Sequence, residues 1–389
     1  MEDVAGFSPF ALERYFAKYE FTAPHLGCCS DCEPLTMKEL IAMADADSLN
    51  KWENLSLGYT ESNGLPELRD EVASMYNATI SQGENDGWEV DKDNVFVVAP
   101  EEGIYITVRA VLQKGDHVVF PSPCYQSMSE IAKSIGCVLN SWEQETDKQG
   151  ALTHFSVDRL RKLVTKDTKL VIVNFPHNPT GAMVSRKQWA EIMEICRENG
   201  CYLLSDEMYW GLEYNPQETQ LIPACKIYDK AISLSGMSKS LALPGLRIGW
   251  LVTQDNDLLR SLKTLKDYTT ICPPAPSEIL SLMALRARDR IIARNLEIIG
   301  AGLEAAKVFF AKHSDKFYFT PPVAGTICFP RLLTGCTYEF CTNLAEKHGI
   351  VLLPSSVYGL PHDPQCFRLG LGRRNVPSIL SMLDKVITN

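Results

Sequence analysis

The middle of this chain alternates two kinds of segment, and that alternation limits what it can fold into more than any other feature. Short β-rich runs at residues 94–99, 117–121, 169–175, 201–205, 231–235 and 247–252 are almost wholly apolar, and helical stretches at 104–113, 127–135, 157–164 and 187–198 separate most of them. Strands apolar on both faces must be covered on both, and strands joined through helices run parallel. The pattern predicts a mostly parallel sheet with helices on either side. Residues 277–312, proline-free and rich in Ala, Leu, Arg and Glu, predict one long helix or two joined ones. Strand-like runs at 317–319, 326–329, 351–353 and 366–369 around a helix at 337–348 then predict a separate α+β unit. We expect a large domain over residues 48–285 and a smaller one formed by 1–47 and 286–389.

Composition removes several function classes. The 389 residues are 45% hydrophobic and 22% charged, the balance of a soluble globular protein. A formal charge of −10 argues against a nucleic-acid surface, which needs a clustered basic face. No uncharged apolar run reaches membrane-spanning length, and residues 1–10 do not read as a signal peptide. The thirteen cysteines, an odd number scattered along the chain, favour free thiols and a cytoplasmic setting over a disulfide framework. Cys28, Cys29 and Cys32 contain one C-x-x-C without a second pair at zinc-ribbon spacing, so no metal site is expected.

In parallel α/β sheets ligands bind beyond the carboxyl ends of the strands. There the chain places Asn178-Pro179-Thr180-Gly181, then Asp206-Glu207-Met208-Tyr209, then Ser238-Lys239 followed by Pro244-Gly245-Leu246-Arg247, and near its end Phe367-Arg368-Leu369. In this order the motifs resemble the class I/II aminotransferases, the main branch of fold-type-I pyridoxal 5′-phosphate (PLP) enzymes. That resemblance implies an aspartate-aminotransferase-like α/β fold, with a mostly parallel seven-stranded sheet in the large domain and a smaller α+β domain beside it.

The resemblance also implies roles. Lys239 would carry PLP as a Schiff base and move the substrate's Cα proton. Asp206 would keep the pyridine nitrogen protonated; a carboxylate about 3 Å away at an effective dielectric of ~20 favours the charged ring by about 5 kcal/mol. Asn178 and Tyr209 would hydrogen-bond the ring's 3′-oxygen, and Tyr125 would stack on the ring. The phosphate would rest on the amides of Glu101 and Glu102 at a helix start, with Arg247 and Ser238 or Ser235 adding contacts. Two glutamates in that turn depart from the family, whose members commonly have small or hydroxyl residues there, and both side chains are expected to point away from the phosphate. Gly236, where many relatives carry a hydroxyl, is a second departure. Arg368 would fork the substrate's α-carboxylate. Tyr59 would reach the phosphate of a neighbouring subunit, implying a homodimer with shared sites.

Transamination of a free amino acid is the first expectation for the reaction. The stretches 174–181, 243–250, 266–269 and 325–333, with Arg14-Tyr15-Phe16, also resemble capreomycidine synthase and related cyclases, which eliminate a substituent from a hydroxylated arginine and close a guanidine ring. Elimination–cyclisation on a guanidino amino acid is therefore the alternative. In that case residues 7–34 would cover the substrate, offering Glu13, His25, Asp31 and Glu33 to a guanidinium. A non-catalytic regulator on the same fold is the remaining alternative; such regulators carry an added DNA-binding domain, for which this chain offers no basic segment.

Overall fold

The apolar runs form a seven-stranded sheet in the computed structural model, which describes residues 4–78, 88–360 and 362–388. Its strands are β1 (Val95–Val98), β2 (His117–Ser122), β3 (Val138–Glu143), β4 (Thr168–Asn174), β5 (Tyr202–Asp206), β6 (Ala231–Gly236) and β7 (Gly249–Thr253). They lie in the order β1-β7-β6-β5-β4-β2-β3. All run parallel except β7, which is antiparallel to both its neighbours. Alternate residues of the central strands feed different cores: Val171, Val173 and Leu203 pack on one face, Leu170, Ile172 and Leu204 on the other. This two-sided burial is why the strands read as continuous apolar runs.

Two details differ from the expectation. Strand β3 was not expected, because Val-Leu-Asn-Ser-Trp-Glu is a mixed sequence; it lies at the sheet edge, where only Trp142 need be fully buried. Strand β7 begins at Gly249, two residues later than expected. Pro244–Leu246 form a 3₁₀ turn, and Arg247 leaves it with a left-handed backbone (φ +55°).

Helices α1 (Ala11–Tyr19) and α2 (Pro100–Val111) contribute to the site and α3 (Ser127–Ile135) packs on α2; α4 (Ala275–Arg286) and α5 (Arg288–Lys312) follow the sheet. The proline-free stretch is thus two helices broken at Ala287. Helix α4 is buried in the core beside β1 and β7, and α5 begins there with Ile291. Helix α5 ends in a second core, where Phe309 and Phe310 meet Phe317 and Phe367. Leu40 packs in the first core, on the sheet side, although residues 1–47 were expected to go with the smaller unit.

Helix α1 joins the two units. Leu12, Tyr15 and Tyr19, spaced three and four apart, form an apolar stripe buried against Ala345, Val351, Leu353 and Val357. The Tyr15 hydroxyl donates to the Leu352 carbonyl at 2.9 Å. At the other end the Ala11 N–H donates to Gln126 Oε1 (2.9 Å) and the Ser8 N–H to Glu130 Oε1 (2.8 Å), tying the helix to α3 and the turn before it.

Candidate active site

Three neighbouring strands end together, and side-chain bonds lock their ends. At the end of β4, Asn174 donates from Nδ2 to the Asp206 carbonyl (2.9 Å) and accepts the Asn178 N–H on Oδ1 (2.7 Å). One amide thereby fixes the 175–181 turn to the end of β5. Asp206 accepts the Met208 N–H at 3.1 Å, and burial pushes its carboxyl up to about 7. Beyond β6, Lys239 donates from Nζ to the Ser30 hydroxyl at 2.9 Å, and burial lowers its pKa. Gly236 has a structural cause: a Cβ there would lie 2.7 Å from Gly249 Cα and 2.8 Å from the Ile248 carbonyl oxygen, so no hydroxyl residue fits.

These strand ends open on a cavity of about 360 Å³, within the range of small-molecule sites. Lys239, Asp206, Tyr209, Asn178, Tyr125, Glu101, Ser238, Arg247 and Arg368 all line it. Arg368 is buried, donating from Nε to the Cys28 carbonyl (3.0 Å) and from Nη1 to Asn178 Oδ1 (3.1 Å) and the Tyr358 hydroxyl (3.3 Å). Tyr125 packs its ring 5.0 Å from that of Phe10.

The two glutamates of the α2 turn part company. Glu102 points away, accepting from Lys266 Nζ (3.3 Å), Thr270 Oγ1 (2.7 Å), Thr269 Oγ1 and the Ala99 N–H (3.2 Å). Glu101 does not. Its carboxylate lines the cavity and accepts from the Ser127 hydroxyl, and burial raises its pKa. The expectation that both side chains turn away therefore fails for Glu101, because Ser127 on α3 draws its side chain inward.

Three candidates stay outside. Tyr59 is 93% exposed in a surface groove with Leu57, Cys272 and Pro273. His25 does not line the cavity; it sits in a two-residue strand paired in register with Ile350. Glu33 is likewise outside, accepting the Arg374 N–H at 3.2 Å.

The rest of the N-terminal segment does close the cavity, through Leu12, Glu13, Phe16, Glu20, Ser30 and Asp31. Glu20, Ser30 and Arg373 were missed. Glu20 could have been found, since Glu13, Phe16 and Glu20 recur at helical spacing on the flank next to the apolar stripe. Ser30 and Arg373 carry no such signal, because they depend on how residues 27–33 lie against 367–372. Gly370 allows that approach: a Cβ there would come within 2.2 Å of the Cys29 carbonyl oxygen. Cys32 is fully buried, with its thiol pushed up to about 12 by that burial.

The sequence signature described as aminotransferase class I and II matches residues 38–376. The chain belongs to that family. Capreomycidine synthase of Streptomyces vinaceus is 29% identical to this aminotransferase-family chain over 260 residues, covering 66% of it and 65% of the synthase. A PLP-dependent aminotransferase from Streptococcus suis superposes with a TM-score of 0.87 at 25% identity, over 98% of both chains. The PLP-dependent cyclase OrfR does so with 0.83 at 26% identity, also over 98% of both.

The protein is thus a PLP-dependent enzyme, and its residues fit the cofactor. Among the described residues the Tyr209 and Ser238 side-chain oxygens, buried at the cavity, have no hydrogen-bond partner, a costly state that a polar ligand would relieve. Lys239, Asp206, Asn178, Tyr125 and Arg247 are the residues that would hold it. Among the described residues no helix is long and apolar enough to cross a membrane.

Proposed function

We propose that this enzyme acts on a free α-amino acid with a cationic, guanidino-type side chain, eliminating a side-chain substituent and closing a ring. The observation that carries the reading is the acidic wall. Glu13 and Glu20 line the cavity, and neither forms an ion pair among the described residues. Among the described residues the one cation on that wall, Arg373, is already paired with Asp31. Such a wall attracts a positive side chain and repels a dicarboxylic keto acid, the common partner of a transaminase.

Bound PLP supplies an aldehyde that captures the substrate amine and a ring that draws electrons from Cα. The chain's residues do the rest. Arg368 forks the α-carboxylate, and Lys239, its charge disfavoured by burial, takes the proton from Cα. Asp206 would hold a proton at the ring nitrogen, while Asn178 and Tyr209 would donate to the ring oxygen. The N-terminal amides of α2, with Ser238 and Arg247, would bind the phosphate. Exposed Leu57, Tyr59, Tyr268 and Ile271 suit a homodimer in which Tyr59 reaches the partner's site.

Transamination is the second reading, favoured by the similarity to the Streptococcus suis aminotransferase. Incubation with single amino acids and no keto acid separates the two. Repeated turnover to a cyclic product from a hydroxylated arginine is expected. One equivalent of keto acid per site, and no more, would replace this reading with transamination.

A further inference from the structure

We infer that Asp31 is a specificity residue: it occupies the fork of Arg373 as a substrate's distal carboxylate would, and so keeps dicarboxylic acids out of the cavity. The inference rests on reading the cavity as an amino-acid site and goes beyond it by naming what excludes the commonest alternative ligand.

The pair is two-pronged. Arg373 Nη2 lies 2.8 Å from Asp31 Oδ2 and 3.0 Å from Oδ1, and Nε lies 3.2 Å from Oδ1. That is the geometry in which a guanidinium recognises a carboxylate of any origin. Both side chains line the cavity, with only 12% of Asp31 and 26% of Arg373 exposed. Backbone bonds hold the two segments in register: the Glu33 N–H donates to the Gly372 carbonyl at 2.7 Å and the Gly370 N–H to the Gly27 carbonyl at 2.8 Å. Gly372 is needed for this, since a Cβ there would lie 2.7 Å from the Asp31 carbonyl oxygen.

The three arginines that line the cavity divide their work. Arg247 lies on the α2 side, and Arg368 is bonded to Cys28, Asn178 and Tyr358. With Arg368 assigned to the α-carboxylate and Arg247 to the phosphate, Arg373 is the lining arginine left for a second substrate carboxylate. To bind there that carboxylate must displace Asp31, leaving an unpaired carboxylate on the wall that already carries Glu20; Asp31 and Glu13 both help hold the Glu20 carboxyl above its ordinary pKa, behind burial as the main cause. Breaking a largely buried pair in this way is strongly unfavourable. A substrate with a cationic side chain meets no such obstacle.

The test is a titration of holoenzyme with maleate and with L-aspartate, following the visible band of the bound cofactor. Wild type should show little saturable change. Asp31→Asn, which keeps the shape and removes the charge, should bind maleate roughly 10- to 100-fold more tightly. The Asp31→Asn/Arg373→Gln double variant should lose that gain. A folded Asp31→Asn holoenzyme, with its visible band intact, that gains no maleate binding overturns the inference; so does a gain that survives in the double variant. Asp31→Ser, read the same way, serves if Asp31→Asn does not fold. The result is separable from the proposed function: a gain in Asp31→Asn alongside a wild type indifferent to side-chain charge would keep Asp31 as excluder and discard the cationic substrate.

Discussion

The two walls of the cavity are built differently. One consists of strand ends: Asp206, Lys239, Tyr209 and Asn178 are positioned by the sheet and by bonds such as that from Asn174 to the Asp206 carbonyl. The other is a single helix, attached to the body by Tyr15, Ala11 and Ser8, and an extended segment held by backbone bonds to Gly370 and Gly372, with Glu13 exposed at its edge. Bond-making chemistry needs its groups held to fractions of an ångström, which a packed sheet provides. Choosing a substrate by charge needs only carboxylates on the correct side. The difference teaches that reaction and selectivity here are separable, and substitutions in the two walls should fail in different ways.

The largest effect belongs to the sheet wall. Lys239→Ala should abolish the visible band of the purified protein and lower turnover by about 10²–10⁴-fold, the range for a lost general base, or more once cofactor capture fails as well. A coloured, active Lys239→Ala protein would remove the basis for calling that wall catalytic.

The α2 turn supplies a sharper contrast within the same wall. Glu102→Gln should weaken PLP binding to apoprotein, even though it removes a negative charge near a dianion, because it unfastens the helix from Lys266, Thr269 and Thr270. Glu101→Gln should tighten it, since that carboxylate faces the cavity. Fluorescence titration of PLP into the two variants checks the opposite signs; a shift in the same direction would show that charge alone governs the cup.

A further contrast lies in pH dependence. Burial raises Asp206 from an unfolded value of about 3.9 to about 7 in the fold. Between those values the native state keeps a proton that the unfolded chain loses, so the Asp206 contribution to apoprotein stability is full below the window and lost as pH rises through it. Thermal melts of Asp206→Asn apoprotein should show a shallower decline from pH 4 to 7, by at most about 1.4 kcal/mol per pH unit. Glu20→Gln, on the half-buried opposite wall, should change that slope much less. Equal changes would mean the two walls share one environment.

The sheet wall was legible in the sequence because its residues sit in short motifs at the ends of apolar strands, where both the strand and the chemistry leave a local mark. The sheet itself was legible for the same reason, except for β3, whose edge position demands little burial. The opposite wall was half legible. Glu13 and Asp31 were named as candidates, but His25 lies outside the cavity, in a two-residue strand paired with Ile350 far along the chain, which no local spacing announces. Arg373 and Ser30 depend on contacts between segments far apart in the chain, and no spacing announces those.

The separation of reaction from selectivity has one direct measurement: binding of arginine and of its neutral isostere citrulline to holoenzyme, followed by the visible band, in wild type and in Glu13→Gln/Glu20→Gln. Wild type should prefer arginine by roughly tenfold or more, and the double variant should lose most of that preference while keeping its cofactor band. A preference that is absent in wild type, or undiminished in the variant, would contradict the account.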